Sequence, residues 1–160
     1  MEVEILPADA VPGPTLDAFL RRAWGADVVV AHRERIVPSR LPGMVALSAG
    51  ELAGHASYRV PDGACEVTSI AVDPPRARIG SRLMDGILVE ARRSGCRCMW
   101  LTTTSDNLDQ LRFYQGRRFR IVALRAGAVD EARRDLKPEI PKVGSFGIPM
   151  RDELDLVLDL

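Results

Sequence analysis

No stretch of this 160-residue chain is apolar for long enough to form a membrane-spanning helix, so no membrane role is expected. Excess charge is missing too. Twenty-two basic and 22 acidic residues cancel, so no global field favours nucleic acid or an anionic surface, and any electropositive site must be local. Aromatic residues make up only 5%. With so few stacking platforms, Arg76, Arg78, Arg92, Arg93 and Arg97 do not add up to a nucleic-acid surface. Cys65, Cys96 and Cys98 are odd in number and lack zinc-finger or CxxC spacing. They read as reduced thiols packed as small hydrophobes, and no metal site is expected. The N-terminal MEVEILPADA lacks a basic leader with an apolar core, so no signal peptide is expected and a cytoplasmic location is. Internal repeats and low-complexity segments are absent as well.

What remains is ordinary for a globular protein: 46% apolar and 28% charged residues, in a length that suits one domain over 1–160. Val3 to Leu6 alternates as a strand. Thr15 to Trp24 reads as a helix with Leu16, Phe19, Leu20 and Ala23 on one face, ended by Gly25. Val28 to Ala31 is a short strand, and Arg33 to Pro42 a loop. Met44–Leu47 and Leu52–Val60 form a hairpin about Ser-Ala-Gly-Glu; Pro61-Asp62-Gly63 turns the chain into a strand from Cys65 to Val72. Ile79 to Ser94 is the strongest helix, with Ile79, Leu83, Ile87 and Ala91 repeating every four residues beside Met84 and Leu88. Arg97 to Thr103 is a strand. Asn107 caps a further helix, with Gln110 placed to reach back. Phe119–Leu124 (strand), Val129–Leu136 (helix), an irregular 137–150 and Leu154–Leu160 (strand) complete the chain. The fold class is α/β (α+β): a mixed, mainly antiparallel sheet of six to seven strands with helices on both faces.

The stretch VDPPRARIGSRLM, from Val72 to Met84, carries the chemistry. It runs from a strand end through a basic turn into a helix. The first N–H groups of that helix, around Ile79, Gly80 and Ser81, lack internal partners and carry the positive end of the helix dipole. Arg76, Arg78 and Arg82 add charge there, so an anion is favoured. The same pattern also describes arginines flanking a solvent-exposed helix start.

Together, Cys65 to Met84 and TTTSDNLDQLRFYQGRRF (Thr102 to Phe119) resemble the GNAT superfamily of acyl-CoA-dependent N-acyltransferases. The resemblance covers most of Met44 to Leu124. It implies an enzyme that moves an acetyl group from acetyl-CoA to an amine, on a small molecule or a peptide, by direct transfer in a ternary complex. A homodimer is possible within that family. It implies that the main chain of Ile70, Ala71 and Val72 pairs with the pantetheine arm. Arg76, Ala77, Arg78, Ile79, Gly80 and Ser81 then cradle the pyrophosphate, and Asn107 hydrogen-bonds the cofactor. Glu66 matches the acidic residue that often serves as general base, and Tyr114 the acid that protonates the leaving thiolate. Two departures stand out. Aligned on Gly80, the first glycine of the family's turn is Arg78 here, and the turn is about two residues shorter. The glycine before Phe119 is Arg118, with Gly116 two residues earlier, which implies an early helix end. The other reading is a degenerate domain of the same fold that binds CoA or a protein partner without catalysis.

Each residue also has a plain structural reading: Glu66 as an exposed hairpin acid, Tyr114 as packing beside Phe113, Asn107 as a cap. His32 and His55 are conceivable bases, although a lone strand histidine is usually structural. A relay through Cys65 lacks anything nearby to lower its pKa. The resemblance implies that the acceptor meets Arg33–Pro42 and Lys137–Asp152, and loops of that length usually have work to do.

Overall fold

The computed structural model describes residues 2–75 and 78–160. Among the described residues, seven strands form one mixed, mostly antiparallel sheet, two more form a small separate sheet, and four α-helices accompany them. Among the described residues, no helix is long and apolar enough to cross a membrane. The chain divides into two compact units. One holds the N-terminal segment to Val29, Val37–Met99 and Leu160; the other holds Val30–Ile36 and Trp100–Asp159.

In the first unit, β1 (Val3–Pro7), β4 (Gly43–Ser48), β5 (Glu51–Arg59) and β6 (Ala64–Val72) are neighbours in that order. All three pairings are antiparallel. The two hairpin turns use Ala49-Gly50 and Asp62-Gly63, all four at positive φ, with glycine second as the two-residue turn prefers. Helix α1 (Gly13–Trp24) ends at Gly25, whose φ of 77° lets its N–H reach Arg21 O. Helix α2 (Ile79–Arg93) buries Ile79, Leu83, Met84, Ile87 and Ala91, the stripe its four-residue repeat predicts.

The two helices cover opposite faces of these strands, because alternate residues point opposite ways. Val45 packs under Leu16 of α1, and Ala71 under Phe19 and Leu20. Gly54 faces α2: a Cβ there would lie 2.8 Å from Ile79 Cγ2 and 3.0 Å from Leu83 Cδ1. Each fully buried Leu, Ile or Phe in this arrangement contributes roughly 2 kcal/mol.

The second unit starts with a difference from expectation. The segment after Ala31 is not all loop. Strands β2 (Val29–Ala31) and β3 (Glu34–Ile36) form a hairpin through His32 and Arg33, at φ 50° and 60°. Its turn has left-handed geometry but no glycine, so the usual sequence signal is missing. Residues 38–40 make a further single turn.

Strand β7 (Cys98–Thr104) enters this unit; β8 (Arg120–Arg125) and β9 (Glu153–Asp159) follow in the order β7-β9-β8. Strands β8 and β9 are antiparallel, with Ile121 opposite Leu156 and Arg125 opposite Glu153. Helix α3 (Leu108–Gly116) lies between β7 and β8 in sequence, and α4 (Ala128–Asp135) follows β8. The irregular 137–150 segment is tied to α4 through Arg133, which donates to the carbonyls of Ile140, Pro141 and Met150 at 2.8, 2.6 and 3.0 Å. Gly144 sits against Asp106, which accepts from Ser145 N at 2.9 Å.

Candidate active site

The strand and the helix that flank residues 73–78 of the first unit form as the sequence suggests. Strand β6 carries Ile70, Ala71 and Val72 opposite Ala56, His55 and Gly54 of β5. Arg76 and Ala77, both assigned to the cradle from sequence, lie outside the described residues. Arg78 is the residue before α2 and stands at φ 73°, ψ −10°. This is left-handed backbone, which suits glycine and costs other residues about 1–2 kcal/mol. An arginine thus stands in backbone that favours glycine, at the position the resemblance aligns with the first glycine of the family's turn. Its side chain is exposed and does not cap the helix. The first helical bond runs from Arg82 N to Arg78 O at 2.9 Å, so the N–H groups of Ile79, Gly80 and Ser81 precede the ladder. Burial of Ile79 fixes the helix start against the sheet. Arg82 differs from expectation. Its Nη1 donates to Val3 O at 2.5 Å, turning that charge toward β1.

Glu66 lies on β6 opposite Arg59 and is 4% exposed. Arg59 Nε donates to its Oε2 at 2.5 Å. Beside it, burial first and then Cys96, Cys98 and Glu66 push the Cys65 thiol up to about 12, so that sulfur stays protonated at neutral pH. His55 is fully buried on the α1 side of the sheet, between Val45 and Ala71. Neither of its ring nitrogens has a partner, and burial pulls its pKa down to about 4. It is a neutral core residue.

In the second unit, Asn107 Oδ1 accepts from Gln110 N at 3.3 Å and caps α3. Gln110 does not reach back; its Oε1 accepts from Thr103 Oγ1 at 2.8 Å. Tyr114 is 3% exposed, with its ring edge-on to Phe113 and Phe119 at centroid distances of 5.2 and 5.7 Å. Burial raises its phenol above the ordinary tyrosine value, so it stays protonated. Helix α3 runs to Gly116, and the left-handed residue is Arg118 at φ 72°, two positions beyond. Phe119 N then bonds Tyr114 O at 3.0 Å. Here too an arginine stands in backbone that favours glycine.

Sequence reasoning missed a polar cluster in this unit. Asp155 of β9 accepts from Thr102 Oγ1 at 2.7 Å and from Arg125 Nη1, and pairs with His32 Nε2 at 3.0 Å. Arg125 Nη2 also reaches Glu153 Oε2 at 3.1 Å. Burial alone would raise the Asp155 pKa; the bonds from Arg125, Thr102 and His32 outweigh it and hold the carboxyl below its usual value. The signal was the alternation ELDLVLD, which places Glu153 and Asp155 on one face of β9.

Comparison with known proteins bears on the family and the fold. Residues 11–119 match the model of the acetyltransferase (GNAT) family. The chain belongs to that family. It is 33% identical over 159 residues to the uncharacterized protein YxbD of Bacillus subtilis, covering 99% of each chain. It is 32% identical over 151 residues to the uncharacterized protein YdhI of the same organism, covering 94% of each. A crystal structure of a Bacillus subtilis acetyltransferase in complex with CoA superposes with a TM-score of 0.75 at 20% identity, over 99% of both chains, which shows the shared fold.

Proposed function

We propose that this acetyltransferase moves the acetyl group of acetyl-CoA to a primary amine, by direct transfer while both substrates are bound. The observation that carries the reading is the start of α2. Arg78 stands left-handed just before the helix, and three helix N–H groups precede the helical ladder, an arrangement that favours an anion. Those groups, with the main chain of Ile70, Ala71 and Val72, would hold the acyl donor, which supplies a thioester open to attack. The CoA-bound relative of the same fold supports this choice of donor.

The chemistry asks for a proton acceptor at the amine and a proton donor at the departing sulfur. Tyr114 is the proposed donor: a buried phenol that keeps its proton. Glu66 is the proposed acidic residue near the reaction. Its carboxylate is buried and already accepts from Arg59, so its proposed part is to act through water or as a fixed negative charge. Asn107 already serves as a helix cap, and a bond to the donor would use its remaining amide hydrogens.

Calorimetric titration with acetyl-CoA, followed by thiol release in the presence of a panel of amines, tests the reading. Saturable binding with amine-dependent thiol release is expected. Binding without release from any amine would leave a non-catalytic CoA-binding domain, and absence of both would overturn the reading.

A further inference from the structure

A cavity of about 390 Å³ in the second unit is lined by His32, Arg33, Arg125, Glu131, Glu153 and two alanines. Its size suits a small molecule. Its polar groups are arranged rather than scattered. Arg33 pairs with Glu131 at 2.8 Å, and Arg125 with Glu153 and Asp155. Two arginines face three carboxylates when Asp155, directly behind His32, is included, so with a neutral imidazole the cluster is one negative charge in excess. That balance attracts a small cation.

His32 is held from three sides. Its Nε2 meets Asp155 Oδ1 at 3.0 Å, its backbone N–H donates to Glu153 Oε2 at 3.3 Å, and its ring stands edge-on to Trp100 at 5.4 Å. Asp155 accepts only, so it selects the tautomer with the proton on Nε2. The other nitrogen, Nδ1, makes no hydrogen bond among the described residues. It is a lone pair on an oriented, part-exposed ring bordering a cavity. The backbone holds this ring at a positive φ of 50°, an unfavourable place for histidine at a turn where Asn-Gly would suffice.

We propose that this cavity receives the acceptor amine as its ammonium ion, and that His32 is the catalytic base that removes the proton, with Asp155 as its positioning residue. The proposal rests on the acetyl-transfer reading above. An ammonium N–H bond breaks and its proton goes to His32 Nδ1. The freed nitrogen pair forms the C–N bond at the thioester carbonyl. The C–S bond breaks and its electron pair leaves on sulfur, which takes the Tyr114 proton, while the acylated nitrogen gives its surplus proton back to the Tyr114 oxygen. The charges facing His32 are Asp155 and Glu153 from β9, Arg125 from β8, Glu131 from α4 and Arg33 beside it; Thr102 and Trp100 face it from β7.

Two measurements test the proposal separately from the activity it builds on. The chain has only two histidines, so the imidazole NMR signal that His32→Gln removes is that of His32. In protein without acyl donor, ethanolamine, putrescine and tyramine serve as probes. At least one is expected to shift that signal saturably, and no response to any amine the enzyme acetylates would overturn the proposal. In the kinetic arm, His32→Gln is expected to lower kcat/KM by about 10²–10³-fold and to erase the acid limb of the pH–rate profile. Asp155→Asn is expected to move that limb without erasing it, because it disturbs the tautomer and leaves the base. A His32→Gln enzyme with the parent's acid limb, whatever its overall rate, overturns the role as base. If the parent acetylates no amine, the acetyl-transfer reading fails, and with it the base; the NMR arm still decides whether the cavity binds amines.

Discussion

Arg59 and Glu66 face each other across β5 and β6, with Nε 2.5 Å from Oε2. The carboxylate is almost wholly buried and the guanidinium about one-third exposed. Arg59→Met leaves a buried carboxylate short of its charged donor and is expected to cost about 2 kcal/mol. Glu66→Gln keeps an acceptor for Arg59 and is expected to cost less. Urea unfolding of both variants measures the difference. If Glu66 acts as a fixed charge rather than as the base, Glu66→Gln lowers kcat/KM while leaving the acid limb of the pH–rate profile in place.

Arg78 and Arg118 stand at φ 73° and 72°, where glycine carries no side-chain strain. Arg78→Gly and Arg118→Gly each relieve about 1–2 kcal/mol of backbone strain. Against that stands about 0.5–1 kcal/mol for the greater freedom of glycine in the unfolded chain. A net gain of about 0.5 kcal/mol each is expected, read as a rise of one or two degrees in Tm. For Arg78→Gly, acetyl-CoA titration adds a second readout. Affinity falls if the guanidinium touches phosphate, rises if it obstructs, and holds steady if it points away.

His55 makes stability depend on acid. Its pKa is 6.5 in the unfolded chain and about 4 when buried. Between those values the unfolded chain binds a proton that the folded one refuses, so stability falls as the pH drops from about 6.5 to 4 and this contribution levels off below. The slope is about 1.4 kcal/mol per pH unit, for a total of about 3 kcal/mol. Replacing the imidazole by an apolar ring of similar size, His55→Phe, is expected to flatten that limb. Denaturant midpoints at pH 7, 5.5 and 4.5 read it directly.

Tyr114→Phe separates packing from proton transfer. The ring keeps its edge contacts with Phe113 and Phe119, so the unfolding midpoint is expected to move by less than about 1 kcal/mol. A loss of about 10²-fold in kcat is expected if the phenol donates the proton. An unchanged kcat would make Tyr114 a core residue alone.

Most of the framework was legible because its signals are local. The stripe of α2, the alternation of β6, the glycine-bearing turns at Gly50 and Gly63 and the Asn107 cap each depend on a few neighbouring residues. The β2–β3 hairpin was not, because His32-Arg33 takes a turn shape whose usual residues are absent. The destination of Arg82 was hidden for another reason: its partner carbonyl is 79 residues away. The Asp155 cluster draws on β7, β8, β9 and the His32 turn, which only tertiary pairing assembles. Charge counting gives only a net of zero for the chain, while the fold sorts these residues into bonded partners.

The turn at His32 and Arg33 sets two selective pressures against each other. An Asn-Gly pair there would fold with less strain, and it would also remove both side chains that border the cavity. Variants chosen only for thermal endurance are therefore expected to drift toward Asn and Gly at these positions. Variants chosen for turnover are expected to retain the histidine.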